Sequence, residues 1–315
     1  MRWTLELAAS TGFFCICLGL LDVCSGVSVP SKVIAPGVQM PMLAFGTYRG
    51  SLKECTVTEA VEKWLQLGGR HIDTAFNYGT QPDVGAALKQ TAISRHDIFL
   101  TTKIPGPIGK ENVINLIMNT SLPQLGVDYI DLVLIHYPCK GDAHEFPDKC
   151  GRTEWRKERL STWEGLMELQ KAGKIRALGL SNYNTEHVME LMDYDVKPAV
   201  NQIQWHLGFH NETLWSDMKQ LGVAVEAWAP LAGPTTMGDD PGVSLGDQRL
   251  KAVAERYNVS TAQVALRWST QRGVTPVTAT CNEDHAMADL ASFDVTLLDE
   301  EIEYLSTLEP SIVLV

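Results

Sequence analysis

Eight short apolar runs, separated by stretches with helical periodicity, constrain this chain more than any other feature. The runs are "MLAFGT" (42–47), "HIDTA" (71–75), "IFLTTKI" (98–104), "IDLVLIH" (130–136), "IRALGLS" (175–181), "AVNQIQ" (199–204), "VAVEAW" (223–228) and "VTPVTA" (274–279). Between the first two, Val57, Ala60, Val61, Trp64 and Leu65 keep one helix face, and Gly68 and Gly69 end it. Ser161 with Glu164 and Ser260 with Gln263 have the spacing of capping boxes, and Asn184 can cap the stretch "TEHVMELM". Strands alternating with helices imply a parallel sheet, and eight such units close a barrel. An open doubly wound sheet would carry a G-x-G-x-x-G turn after its first strand, and "FGTYRGS" is not one. The expected fold is α/β, a (β/α)8 TIM barrel.

The 315 residues then divide into a leader, 1–26, and a single barrel domain, 27–315. The leader has one basic residue near its start, an apolar stretch from Leu5 to Leu21 and small residues at Ser25 and Gly26, the pattern of a secretory signal peptide. It implies the lumen of the secretory pathway or secretion, with an organelle-targeting leader as the alternative and no membrane span after its removal. A net charge of −12 without a cluster of basic residues excludes nucleic acid as a natural partner. Cys139 and Cys150 bracket one polar segment and are either a loop-closing disulfide or two free thiols. Sequons begin at Asn119, Asn211 and Asn258.

In a barrel of this kind, chemistry sits where strands end. The residues there are Thr47 and Tyr48, Asp73 with Tyr78, Lys103, His136, Ser181 with Asn182, Gln202, Trp228 and Thr280. Taken singly, each has an ordinary structural explanation: His136 as a core histidine, Asp73 as a cap, Lys103 as a surface lysine with a buried stem. Trp205 reads as packing. Their convergence on one rim is what packing does not explain. A barrel glycosidase would need two carboxylates facing one cavity, and Asp73 shows no partner at a strand end.

These residues lie in motifs that resemble the aldo-keto reductases. The matching pieces are "MPMLAFGTY" (40–48), "GGRHIDTAFNYG" (68–79), "TTKIP" (101–105), "GVDYIDLVLIHYP" (126–138), "IRALGLSNY" (175–183) and "AVNQIQWH" (199–206), in the family's order. The resemblance runs from about Val33 to the C-terminus. It implies a barrel with a short N-terminal hairpin and long loops on the C-terminal face, a nicotinamide cofactor across that face, and reduction of an aldehyde or ketone by a monomer. It further implies that Ser181, Asn182 and Gln202 hold the nicotinamide carboxamide and that Trp228 stacks on the ring. Thr47, Pro230, Leu231, Thr280 and His285 would complete the cofactor site, and Tyr48, His136 and Tyr137 would line the substrate pocket.

Such a reaction needs a hydride carrier and an acid for the oxygen that becomes an alcohol. Tyr78 is the expected proton donor. The ammonium of Lys103 would draw the phenol's pKa down from near ~10, Asp73 would hold that ammonium charged, and His136 would orient the carbonyl. The phosphate grip departs from the family pattern: Ala279 and His285 stand where lysine and arginine are usual, Thr280 remains, and Glu283 and Asp284 add negative charge. NADP(H) stays narrowly ahead of NAD(H). "YGTQ" (78–81) replaces the usual sequence after the tyrosine, and Pro123 is expected to break a helix. A catalytically idle barrel that senses cofactor or binds a partner is the alternative reading.

Overall fold

The computed structural model describes residues 29–139, 150, 155–232 and 242–310. The leader, and much of the long loops that shape the substrate side, therefore lie outside the described residues. Among those described, no helix is long and apolar enough to cross a membrane.

The chain opens with an antiparallel hairpin, β1 (Ser31–Ala35) and β2 (Val38–Pro41). Eight parallel strands follow: β3 (Ala44–Gly46), β4 (His71–Asp73), β5 (Phe99–Ile104), β6 (Ile130–Ile135), β7 (Ile175–Ser181), β8 (Val200–Gln204), β9 (Ala224–Trp228) and β10 (Thr275–Thr278). They form a closed barrel in which β10 returns to β3, with Val277 in register with Ala44. Every one of the eight apolar runs supplies one strand. The reason is burial on both faces: all six residues of β5 and all six of β6 are inaccessible, which a continuous apolar or β-branched run tolerates. The hairpin plugs the barrel floor, where Val38 and Met40 pack with Phe99, Leu132, Leu134, Ala177 and Val200.

Helices wrap the outside. α1 (Val57–Gln66) carries a complete capping box from Thr56 and Glu59 and buries Val57, Ala60, Val61, Trp64 and Leu65. The glycines after it are required by geometry. Gly68 has φ +105°, and a Cβ on Gly69 would sit 2.1 Å from Nε1 of Trp64. α2 (Gln81–Gln90) begins in the altered "YGTQ" segment. There Gln81 accepts from the Thr102 hydroxyl at 2.9 Å and donates to Gln124 at 2.8 Å, fixing the helix start.

Two helix expectations change. The helix containing Pro123 is not broken: α3 (Lys110–Leu116) widens into a π-helical turn at Ile117–Ser121 and resumes as α4 (Leu122–Leu125). The wider turn accommodates a residue without an N–H whose ring would crowd the preceding carbonyls. Ser161 does not open a helix either. It lies inside α5 (Arg156–Lys171), and its hydroxyl accepts from the backbone N–H of Lys110 at 3.1 Å. Thr162 accepts from the N–H groups of Ile108 and Gly109, so this Ser-Thr pair caps α3 rather than its own helix.

The remaining helices are α6 (Thr185–Met189), α7 (Glu212–Leu221), α8 (Gln248–Tyr257), α9 (Thr261–Gln271), α10 (Glu283–Leu290) and α11 (Asp299–Ser306). Asn184 caps α6, and Ser260 with Gln263 forms the capping box of α9. Trp205 is fully buried and stacks on Trp268 at 5.6 Å, with the Arg272 guanidinium 5.0 Å from its ring.

All four cysteines outside the leader are paired. Cys139 bonds Cys150, with Cα atoms 5.5 Å apart, which resolves the two alternatives in favour of the disulfide. Cys55 bonds Cys281 across 226 residues, with Cα atoms 5.7 Å apart. No sequence spacing pointed to this second pair, because the loops after the first and last barrel strands become neighbours only when the barrel closes. A bond spanning so long a loop restricts the unfolded chain most. A Cys55→Ser, Cys281→Ser double variant should lose about 2–5 kcal/mol of unfolding free energy in guanidinium titrations. An unchanged midpoint would show that the bond does not contribute.

Candidate active site

The strand ends bring Asp73, Tyr78, Lys103 and His136 together. β4 and β5 run in register, Asp73 beside Thr101, so the Lys103 stem projects across the barrel toward Asp73. The Lys103 ammonium spends its three protons on Asp73 Oδ1 at 2.6 Å, the carbonyl of Thr74 at 3.2 Å and the Tyr78 hydroxyl at 3.3 Å. Lys103 is 1% exposed and Asp73 2%, so water competes for neither charge. Tyr78 sits in a single-turn 3-10 helix, Phe76–Tyr78, ended by Gly79 at φ +66°. That left-handed residue turns the chain into α2 directly after the tyrosine.

Burial works against the charge of Lys103, yet Asp73 and Tyr78 together hold its pKa above the ordinary lysine value. For Tyr78 the balance differs from the sequence expectation. Burial pushes the phenol above its ordinary value, and the Lys103 charge is the largest influence pulling it down. The ammonium therefore offsets a desolvation cost instead of producing a net acidic phenol. His136 is buried, and burial followed by the Lys103 charge lowers it well below 6.5, so its imidazole is neutral at physiological pH. Its ring stacks on Tyr137 at 4.5 Å and meets Tyr78 edge-on at 5.7 Å; its Nδ1 has no hydrogen-bond partner. Tyr48, half exposed, closes the other side of Tyr78 at 5.3 Å.

A second polar group adjoins the first. Asn182, at φ 62°, donates to the His136 carbonyl at 3.1 Å and to Ser181 Oγ at 3.1 Å, and its Oδ1 accepts from the Trp228 indole at 3.0 Å. Ser181 Oγ donates to the Gln202 carbonyl at 2.9 Å. Ser181, Asn182, Gln202 and Trp228 thus form one connected cluster against His136. Thr47 does not join it. That residue is fully buried, and its hydroxyl shares a hydrogen bond with Thr80, which in turn meets Thr74.

From Trp228 a cleft of about 490 Å³ continues along the rim. Ala229, Pro230, Leu231 and Ala232 form one wall, Ala279, Thr280, Cys281 and Asn282 the other, and Lys53 and His285 supply positive or protonatable groups. Its volume is in the ~300–1,000 Å³ range of small-molecule and cofactor sites. The Cys55–Cys281 disulfide ties the two loops at its edge. Thr280 and Asn282 are partly occupied: Thr280 Oγ1 accepts from the Asn282 N–H, and Asn282 caps α10. Glu283, counted from sequence as an unfavourable charge, pairs with Lys63 at 3.2 Å. Glu54 also lines this cleft, so Lys53 and His285 stand beside one carboxylate, and the backbone of both walls is what remains to meet a dinucleotide phosphate.

Sequence reasoning missed Glu226, on β9. It is fully buried in the barrel interior, and the Gln202 amide nitrogen donates both to it, at 3.2 Å, and to Asp73 Oδ2, at 2.9 Å. Asp73 therefore does have a neighbouring carboxyl. The pair still does not suit a glycosidase, because one buried amide bridges the two groups. The available signal was a glutamate at an inward position of the apolar run "VAVEAW".

Comparison with known proteins gives the same family as the motifs. The profile of the aldo/keto reductase family matches residues 42–309. A glyoxal reductase of Bacillus subtilis is 32% identical over 273 residues, covering 86% of this chain and 90% of the relative. Among solved structures, an aldo/keto reductase from Brucella melitensis superposes with TM-score 0.77 at 31% identity, covering 90% of this chain and all of that one. The Bombyx mori aldo-keto reductase, solved in complex with NADP, has TM-score 0.78 at 29% identity and covers 88% of this chain and 92% of its own. The chain belongs to the aldo/keto reductase family and is an oxidoreductase.

Removing one partner of a buried ion pair strands the other charge, a cost of roughly 3–5 kcal/mol. Lys103→Met should lower unfolding free energy by about that amount, and adding Asp73→Asn should recover part of it. A double variant no more stable than the single one would mean the two charges are not coupled.

Proposed function

We propose that this protein reduces an aldehyde or ketone to the alcohol with NADPH, with Tyr78 as proton donor. The observation that carries the reading is the Lys103 ammonium lying 2.6 Å from Asp73 and 3.3 Å from the Tyr78 hydroxyl, with the neutral ring of His136 edge-on to Tyr78 at 5.7 Å. The bound nicotinamide supplies the hydride, which no side chain provides. This chain's residues do the rest. His136 offers a ring N–H to the carbonyl oxygen and orients it. Tyr78 gives its proton to that oxygen, and Lys103 stabilises the phenolate left behind. Asp73 keeps Lys103 charged and pointed. Tyr48 and Tyr137 present aromatic faces suited to apolar or sugar-like carbonyl compounds.

Ser181, Asn182 and Gln202 are the groups for the carboxamide and Trp228 for the ring face, with Pro230, Leu231, Thr280 and His285 along the phosphates. NADPH is favoured over NADH on the NADP complex of the silkworm relative and on the pairing of Glu283 with Lys63, while Lys53 and His285 in the cleft are set against Glu54. Two disulfides, the exposed side chains of Asn119, Asn211 and Asn258, and the apolar leader together favour an oxidising lumen of the secretory pathway.

Tyr78→Phe should reduce aldehyde turnover about 10²–10⁴-fold while tryptophan-quenching titrations give an NADPH Kd close to wild type. Near-normal turnover in the variant removes Tyr78 from the role. NADPH binding to wild type without turnover on any carbonyl compound favours the idle barrel. For the compartment, expression of the full chain in a secretory host should give a glycosidase-sensitive mass; an unmodified product in the cytosol contradicts the lumenal assignment.

A further inference from the structure

The catalytic group does not end at Asp73. A line of buried polar side chains continues down the barrel axis from Tyr78 through Lys103, Asp73 and Gln202 to Glu226, with His71 below it. Gln202 is the joint. Its amide nitrogen lies 2.9 Å from Asp73 Oδ2 and 3.2 Å from Glu226 Oε2. The acceptor-only Asp73 oxygen calls for the amide nitrogen, and the second proton of that nitrogen then meets the Glu226 oxygen. Glu226 and Asp73 thereby fix which end of Gln202 is turned inward, and leave its oxygen as the group free to accept from a carboxamide N–H.

We infer that Glu226 is a positioning residue for this reaction, acting through Gln202, whose amide nitrogen it holds inward together with Asp73. The inference rests on the proposed reductase function. The surroundings of Glu226 support it. From β4 it faces His71, 3.7 Å away, and Asp73; from β5, Lys103; from β8, Gln202; and Thr275 of β10 lies beside it in register. Glu226 Oε1 has no hydrogen-bond partner. His71 Nδ1 faces the carbonyl of Pro41 at 3.1 Å, so that nitrogen carries the proton and Nε2 accepts from Thr101 at 2.9 Å. Burial lowers His71 to about 4, so it supplies no positive charge to Glu226 at neutral pH. Burial, then the Asp73 charge, pushes Glu226 up to about 8. An acid whose folded value is raised stays neutral below that value and ionises as pH climbs through it.

Ionisation places a second negative charge in the same dry interior. That charge disfavours the phenolate Tyr78 must become, and slows proton donation. Within this cluster Glu226 alone titrates between about pH 7 and 9: His71 and His136 lose their protons well below that window, Tyr78 is pushed above it by burial, and Lys103 is held above it.

The test compares wild type, Glu226→Gln and Glu226→Leu. Wild-type kcat with NADPH should fall as pH rises from 7 to 9, by up to about tenfold, the ionised-to-neutral ratio one unit above the midpoint. Glu226→Gln keeps the acceptor oxygen and cannot ionise, so its kcat should stay within about twofold across that range and match wild type at pH 6.5. Glu226→Leu removes the acceptor, and should lower kcat and weaken NADPH binding at every pH. Superimposed profiles for wild type and Glu226→Gln overturn the inference. A second readout does not depend on turnover: difference infrared spectra of wild type minus Glu226→Gln should contain a protonated carboxyl band at pH 6.5 that vanishes through about pH 8. Its absence at pH 6.5 overturns the inference even if the protein reduces carbonyls. A band that titrates normally in a protein without reductase activity instead rejects the proposed reaction and the positioning role built on it.

Discussion

An ammonium and a carboxylate facing each other inside a closed barrel set the terms for everything around them. Neither Lys103 nor Asp73 reaches water, so each is tolerable only because the other is 2.6 Å away. The requirement propagates outward. The third proton of Lys103 has nowhere better to go than the Tyr78 hydroxyl, the second oxygen of Asp73 must find Gln202, and Gln202 in turn must find Glu226. A chain of obligatory partners therefore connects the rim to the barrel interior.

The fold makes that chain possible by fixing register. Eight parallel strands with β10 closed on β3 leave no freedom to slide, and a one-residue slip would turn Lys103 from the lumen to the helices. The hairpin plug excludes water from the lower end, and the helices bury the outer strand faces. On the upper end, the two loops joined by Cys55 and Cys281 border the cleft where a dinucleotide would lie. That covalent tie holds Cys281 in the cleft wall beside Ala279, Thr280 and Asn282.

Much of this was legible in the sequence, and for a common reason. Strand runs such as 175–181, matched residue for residue by β7, show because both faces of a barrel strand are buried. Asp73, Tyr78, Lys103 and His136 show because polar residues at the ends of such runs are conspicuous. What stayed hidden depends on neighbours distant in sequence. Cys55 and Cys281 meet only through closure. Ser161 and Thr162 have the spacing of a cap but serve α3, since helix packing rather than local propensity decides whose N–H groups they reach. Glu226 was passed over as part of an apolar run, because its significance comes from Gln202 and Asp73 on other strands. The net direction of the Tyr78 shift was hidden too: a sequence shows which charges approach, and not how much water is removed.

The Lys103 charge acts on the Tyr78 phenol. The most direct measurement of that influence is the ultraviolet phenolate titration of Tyr78, obtained as the difference from Tyr78→Phe, in wild type and again in a Lys103→Met background. Tyr78 should titrate at higher pH once the ammonium is gone, because burial then lacks its main opposing influence. An unchanged or lower titration would contradict it.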